Sequence, residues 1–229
     1  GHKRNQGLYR PQDAGRLTGL SNISQGLGLE VVGYAKGEGS KIQKNSGEGY
    51  DKNGNINGGL DINYNITTGL KASVTLNTDF AETEVDERQI NLTRFPIRFP
   101  EKRDFFLEGA NIYRFASSSG VYPYFSRKIG LQSGNPIPIL YGGRIIGKIG
   151  KVEVAAQQVK TRETDLVNSE DFSVVRLKQN FWKESSIGIL YTRRHTENGE
   201  QLPEPVKDRN TLGVDLSLNT STFLKNQNL

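Results

Sequence analysis

Leu60, Ile62, Tyr64 and Ile66 alternate with Asp61, Asn63, Asn65 and Thr67. Past a tight turn at Thr67-Thr68-Gly69, Leu70, Ala72, Val74 and Leu76 alternate with Lys71, Ser73, Thr75 and Asn77. Successive side chains of a strand point to opposite faces, so a period of two gives a ribbon with two different sides. Here one side is wholly apolar and the other wholly polar. The turn at one end is short and the loop before Leu60 is long. Outer-membrane barrels are laid out in this way, with apolar residues facing lipid and polar ones facing the lumen.

The same pattern recurs along the chain. Leu27 to Ala35 alternates with Gly28 to Lys36, and residues 37–58, rich in Gly, Asn, Ser and Lys, read as a long solvated loop. Residues 121–131 read as an aromatic-rich strand. Tyr141–Ile149 and Val152–Thr161 form a hairpin around Gly150-Lys151. Asp171–Phe181 and Ser185–His195 form another, with Trp182-Lys183-Glu184 at its turn. Leu212, Val214, Leu216 and Leu218 close the series after a polar loop at 196–210. Residues 1–25 are a lead-in segment with a short strand near Arg16–Leu20. The result is about ten strands of about 9–11 residues, a length that suits a tilted membrane strand and exceeds the usual strand of soluble sheets. No stretch carries a sustained helical period. The expected fold is all-β: an antiparallel up-and-down meander over residues 26–229, forming a transmembrane β-barrel or a segment of one.

Totals narrow the classes. Hydrophobic residues make up 34% and charged residues 24% of the 229. No window approaches the roughly 18–20 apolar residues of a membrane helix, a criterion that does not touch barrels. Cysteine is absent, which removes disulfides, thiolate metal sites and a cysteine nucleophile. The net charge of +5 is mild and its signs are mixed, unlike the clustered basic surface of a nucleic-acid binder. The chain begins with Gly and contains no Met, so it reads as a mature or excised segment, with further strands expected downstream.

The strand rhythm breaks between Asp79 and Lys128. Asp79, Glu82, Glu84, Asp86 and Glu87 are followed by Pro96 and Pro100. A charged and aromatic loop over 95–120 then contains Glu101, Lys102, Arg103, Asp104 and Glu108 beside Phe99, Phe105, Phe106 and Leu107, with Arg127 and Lys128 further on. The charged residues are candidate lumen or plug groups, and the apolar ones are candidate packing for the loop. A glycosidase would need two carboxylates held about 5–9.5 Å apart, and Glu101 with Asp104, or Glu82, Glu84 and Asp86, supply the residue type without that geometry. The favoured reading is that the acids pair with Lys102, Arg103, Arg127 and Lys128. His2 and His195 are isolated and make a weak metal case. Residues 51–62 open like a calcium loop, but Ile56 and Ile62 occupy positions that need Gly and Glu. No phosphate loop, serine elbow or zinc-protease helix occurs. Tyr122, Tyr124, Phe125, Trp182 and Tyr191 suit either a membrane-interface belt or a sheet core. No catalytic residue, metal or cofactor is expected.

One set of residues carries a family resemblance. It runs through Asn77-Thr78-Asp79-Phe80, Glu84-Val85-Asp86, Ile90-Asn91-Leu92, Phe99-Pro100-Glu101-Lys102-Arg103, Phe105-Phe106-Leu107-Glu108-Gly109 and Tyr124-Phe125-Ser126-Arg127-Lys128-Ile129-Gly130. The segment resembles envelope proteins of unknown function in which a domain similar to carbohydrate-binding family nine precedes a large C-terminal barrel. The family usually has proline where Thr78 and Asp104 stand. The resemblance implies an outer-membrane location, a non-enzymatic barrel and an upstream sugar-binding-like domain that lies outside this chain.

The expected function is a pore or ligand-handling component of a Gram-negative outer membrane, with the loop at 96–109 folded inward. Its partners would be the lipid bilayer, other envelope proteins and a glycan ligand, but not nucleic acid. The alternative is a soluble β-sandwich or carbohydrate-active module, whose second layer would cover the apolar face.

Overall fold

The computed structural model describes residues 26–43, 50–78, 100–116, 121–132, 135–164, 167–181, 185–197 and 207–219. Its strands are β1 (Leu29–Gln43), β2 (Tyr50–Thr67), β3 (Leu70–Leu76), β4 (Leu131–Gln132), β5 (Asn135–Pro136), β6 (Ile139–Ile149), β7 (Val152–Thr161), β8 (Glu170–Phe181), β9 (Ser185–Thr196) and β10 (Asp208–Ser217). Eight of them form one antiparallel sheet in the order β1-β2-β3-β6-β7-β8-β9-β10, while β4 and β5 pair separately. Strands adjacent along the chain are adjacent in the sheet, as expected of a meander. Among the described residues the sheet is not closed into a barrel: β1 and β10 are its two edges.

Register converts the alternation into two unlike faces. One row runs Leu29, Tyr64, Ala72, Ile145, Ala156, Val175, Tyr191, Leu212, with one residue from each strand and every one apolar or aromatic. The neighbouring row, on the opposite face, runs Glu30, Asn63, Ser73, Arg144, Gln157, Val174, Thr192, Thr211. Only Val174 there is apolar. Because the pleat has a period of two, a slip of one residue in any strand would exchange these faces.

The first face is open. Leu29, Val31, Tyr64, Val74, Ile145, Val175, Ile189, Leu212 and Val214 are all exposed on it. The opposite face is covered, from β3 to β10, by residues between 100 and 131. Beneath this segment lie two apolar clusters. Tyr113, Ile146, Ala155, Val174 and Leu190 form one, with Ile112, Phe115 and Tyr124 against it. Phe106, Ile129, Ile139 and Val159 form the other, with Phe105, Tyr124 and Phe172 against it. Tyr124 joins the two. Fully burying side chains of this size stabilises by about 1.5–3 kcal/mol each, so the segment is held by packing as well as by charge.

Several local expectations need correction. Residues 37–43 and 50–58 are not loop. β1 and β2 continue through them as a paired ladder from Gly37↔Ile56 to Gln43↔Tyr50. Gly, Asn and Lys on both sides of a ribbon give no hydrophobic period, yet cross-strand backbone bonds do not require one. The calcium-like stretch is therefore strand. Residues 121–131 do not join the large sheet. Ser126–Lys128 forms a 3₁₀ turn, and Leu131 pairs with Pro136 in the β4–β5 ribbon instead. A one-turn helix, α1 (Asp104–Leu107), was also not anticipated. The hairpin around Gly150-Lys151 has the expected register, with Ile149 opposite Val152. The expected strand near Arg16–Leu20, the acids between Asp79 and Glu87, Phe99 and the turn at Trp182–Glu184 lie outside the described residues.

Candidate functional site

Arg103 ties the covering segment to itself. It is 3% exposed. Its Nε donates to Glu101 Oε1 at 2.8 Å and its Nη2 to Glu101 Oε2 at 2.8 Å, a bidentate fork. The same guanidinium donates to the carbonyls of Ile129 at 2.6 Å and Ser126 at 2.7 Å, so it joins stretches more than twenty residues apart. Ser126 Oγ donates to Glu101 Oε2 at 2.7 Å. Planar, charge-assisted pairs of this kind hold geometry as well as charge. Helix α1 follows directly and turns Phe106 inward. Arg103 lies 4.1 Å from the centre of the Phe106 ring, and Phe105 meets Phe106 edge-on at 5.1 Å.

Two wall arginines tie the segment to the sheet. Arg144 on β6 is 4% exposed. It binds Glu108 Oε2 at 2.5 Å, Ser73 Oγ at 3.1 Å and the Glu108 carbonyl at 3.1 Å. It also donates to the Phe105 carbonyl. Lys71 on β3 reaches the same carboxylate at 2.9 Å. Arg176 on β8 is 1% exposed. It crosses β9 above Gly188 to pair with Asp215 on β10 at 2.5 and 2.9 Å. The Asp215 carboxylate accepts from the Ala116 backbone at 3.5 Å, and the Phe115 ring lies 5.6 Å from the Arg176 guanidinium.

Three glycines make room for these groups. A Cβ on Gly188 would stand 2.7 Å from Arg176 Nη1, and one on Gly213 would stand 2.6 Å from the Phe115 ring. One on Gly142 would meet Thr75 at 2.9 Å and Phe105 at 3.1 Å.

Burial alone would raise the pKa of Glu101. The hydrogen bonds and charge of Arg103, with the Ser126 hydroxyl, outweigh it and hold the carboxyl below its usual range. Glu108 follows the same balance: burial opposes ionisation, and Lys71 with Arg144 overcomes it. Burial pushes the phenols of Tyr113 and Tyr124 upward, and the Tyr124 hydroxyl accepts from Gln157 Nε2 at 3.0 Å.

The residues singled out from sequence thus separate. Glu101 with Arg103, and Glu108 with the wall, are knitted into the covered face. Arg127 is buried in the 3₁₀ turn. Lys102 is half-buried, whereas Asp104 and Lys128 are exposed. Phe105 and Phe106 pack as expected, but Leu107 turns outward and is exposed. Lys71, Ser73, Asp61, Asn63 and Asp215, the polar partners of the apolar stripes, all share the covered side of the register. Sequence reasoning missed Arg144, Arg176, Tyr113 and Gln157. Parity places both arginines on the polar side of their strands, but Lys148 and Lys178 share that parity, so alternation alone does not single them out.

Chemically, the carboxylates of this site are committed to pairing: Glu101 to Arg103, Glu108 to Arg144 and Lys71, and Asp215 to Arg176. Its carboxylates are engaged by guanidinium or ammonium groups and kept ionised, which makes them poor proton donors. Glu101 and Asp104 do not form a facing pair, since one is bound to Arg103 and the other looks into solvent. Among the described residues no group of three or more His, Asp or Glu could hold a metal ion.

Residues 29–139 match the model of a domain of unknown function (DUF5916). The match spans β1 to β3 and the covering segment, and ends where β6 begins. Neither a curated protein nor a solved structure matches the chain.

Proposed function

We propose that this chain forms part of an outer-membrane β-barrel of a Gram-negative envelope, with residues 100–131 folded into the lumen, and that it serves as a pore or ligand-handling component. The observation that carries the reading is the fully apolar row from Leu29 to Leu212, solvent-exposed on strand after strand, backed by a polar row on the covered side. A water-soluble domain puts its apolar face inside and rarely exposes patches beyond a few hundred Å². A membrane barrel inverts that arrangement.

Three further features support lipid as the covering medium. The strands β6 to β10 have 11, 10, 12, 12 and 10 residues, close to the about 9–11 of tilted membrane strands. The apolar band ends in charge: the row Leu60, Leu76, Tyr141 continues as Lys160, Asp171, His195, Asp208. The border is therefore oblique to the strands, as for strands crossing a slab at a tilt, and Tyr141 and Tyr191 stand along it as interface residues do. A sandwich would need a second layer over the open face, and among the described residues the only pairings outside the large sheet are the two-residue β4–β5 ribbon and an isolated bridge between Thr164 and Val167.

Detergent partition and heat-modifiable gel mobility test the reading. The full protein is expected in the detergent phase, with a folded band that shifts on boiling. Ile189→Arg, on the open face, should impair insertion, because an arginine at mid-bilayer costs about 2–4 kcal/mol. A monodisperse, detergent-free chain that tolerates Ile189→Arg would refute a lipid-facing surface. Single-channel conductance should rise when residues 96–109 are removed.

A further inference from the structure

A cavity of about 310 Å³ lies between residues 122–129 of the covering segment and the ends of β8, β9 and β10. It falls at the small end of the roughly 300–1,000 Å³ range of ligand pockets. Tyr122, Phe125 and Phe172 give it aromatic walls, and Lys128, Arg194 and Arg209 give it charge. Thr192 and Thr211 add hydroxyls, and among the described residues none that lines it is a carboxylate.

Among the described residues its charge is not balanced. Arg194 and Arg209 are direct cross-strand partners, an arrangement that repels unless an anion intervenes. One carboxylate, Glu170, serves both: it is 2.5 Å from Arg194 and 4.0 Å from Arg209. Arg194 is further held over the Phe172 ring at 5.3 Å. Arg193 at the rim is neutralised by Asp208 at 2.8 Å. Lys128 faces the arginines from the segment and is exposed. Among the described residues, the cations around this hollow thus outnumber the carboxylates that reach them, beside rings able to lie against a flat or cyclic body.

We propose that this cavity binds a small cyclic organic anion, its carboxylate held by Arg209 and Lys128 and its ring seated against Tyr122 and Phe125. Arginine suits this task because its planar fork matches a carboxylate. The site needs only the segment docked on β8 to β10, so it does not depend on the strands crossing a membrane.

Calorimetric titration of the full folded protein, in detergent if it requires one, tests the proposal. The probes are galacturonate and benzoate, with galactose, benzyl alcohol and inorganic sulfate as comparators. The ring carboxylates should bind, the neutral rings should not, and added salt should weaken binding. Lys128→Gln and Arg209→Gln should each reduce affinity by about tenfold, the worth of one charge-assisted hydrogen bond. Lys148→Gln, an exposed cation away from the cavity, should leave it unchanged. Both cavity positions are exposed, so the variants should keep the wild-type circular dichroism spectrum. Equal binding of galactose and galacturonate, sulfate binding as tightly as the ring carboxylates, no binding of either acid, or affinity untouched by both cavity substitutions would each overturn it.

Discussion

Val32, Asp61, Thr75 and Gly142 lie side by side in one register row on one face of the sheet, yet their surroundings are opposite. Val32 on β1 is 45% exposed, whereas Thr75 and Gly142 are buried. The backbone pairing is the same on either side of β2. What differs is that residues 103–116 and 121–129 lie over β3 and the strands beyond, and none of the described residues among them reaches β1. The interior is therefore not a property of the sheet. It is created locally, wherever the segment settles.

The contrast can be broken most strongly at Arg103. Arg103→Ala strands the half-buried Glu101 and releases the Ser126 and Ile129 carbonyls. Breaking a buried pair by removing one partner typically costs about 3–5 kcal/mol. Limited proteolysis should then cut within 100–131, while amide exchange in β1 and β2 stays at its wild-type rate. If β1 and β2 loosen equally, the segment and the sheet are one cooperative unit and the contrast fails.

Gly213→Ala should come next. The added methyl collides with the Phe115 ring, and overpacking of this sort costs about 1–3 kcal/mol. Phe115→Ala in the same chain should restore part of the loss, a coupling readable by a double-mutant cycle.

Acid should give a smaller, graded effect. Glu101 and Glu108 have folded pKa values below the ordinary 4.5. Their contribution is complete above that value and is lost as pH falls through the depressed folded values. Protease sensitivity of the segment should therefore rise only below about pH 4.5, and Glu101→Gln should flatten that rise. The smallest change should come from Val32→Ala, on the uncovered strand, with less than about 0.5 kcal/mol of effect. A large loss there would reveal a cover over β1.

Much of this organisation was legible beforehand. The stripes Leu60/Ile62/Tyr64 and Leu70/Ala72/Val74/Leu76 announced two faces, and Gly150-Lys151 announced a hairpin, because each rests on a local period. The extension of β1 and β2 past Gly37 was hidden, since polar residues on both sides leave backbone pairing without a hydrophobic trace. Residues 121–131 misled in the other direction. Val121, Tyr122, Phe125 and Ile129 have strand-like composition, but Val121 and Tyr122 are exposed, and Phe125 and Ile129 flank a 3₁₀ turn tied down by Arg103, a residue more than twenty positions away. Arg144 and Arg176 were overlooked for a related reason. In a strand, a lone arginine at a polar-side position looks the same in sequence whether water or a carboxylate meets it.

The bare backbone at Gly142, Gly188 and Gly213 has one more consequence. Each is a notch that admits a bulky group, and the notches fall on three different strands. Moving the segment along the wall would drive Phe105 off the notch at Gly142 and Phe115 off the notch at Gly213, against neighbours that possess a Cβ, while the notch at Gly188 admits the wall's own Arg176. The seat is thus indexed like a key in a lock cylinder, by where material is missing, and the segment can leave its berth only by lifting away from the wall, not by sliding along it.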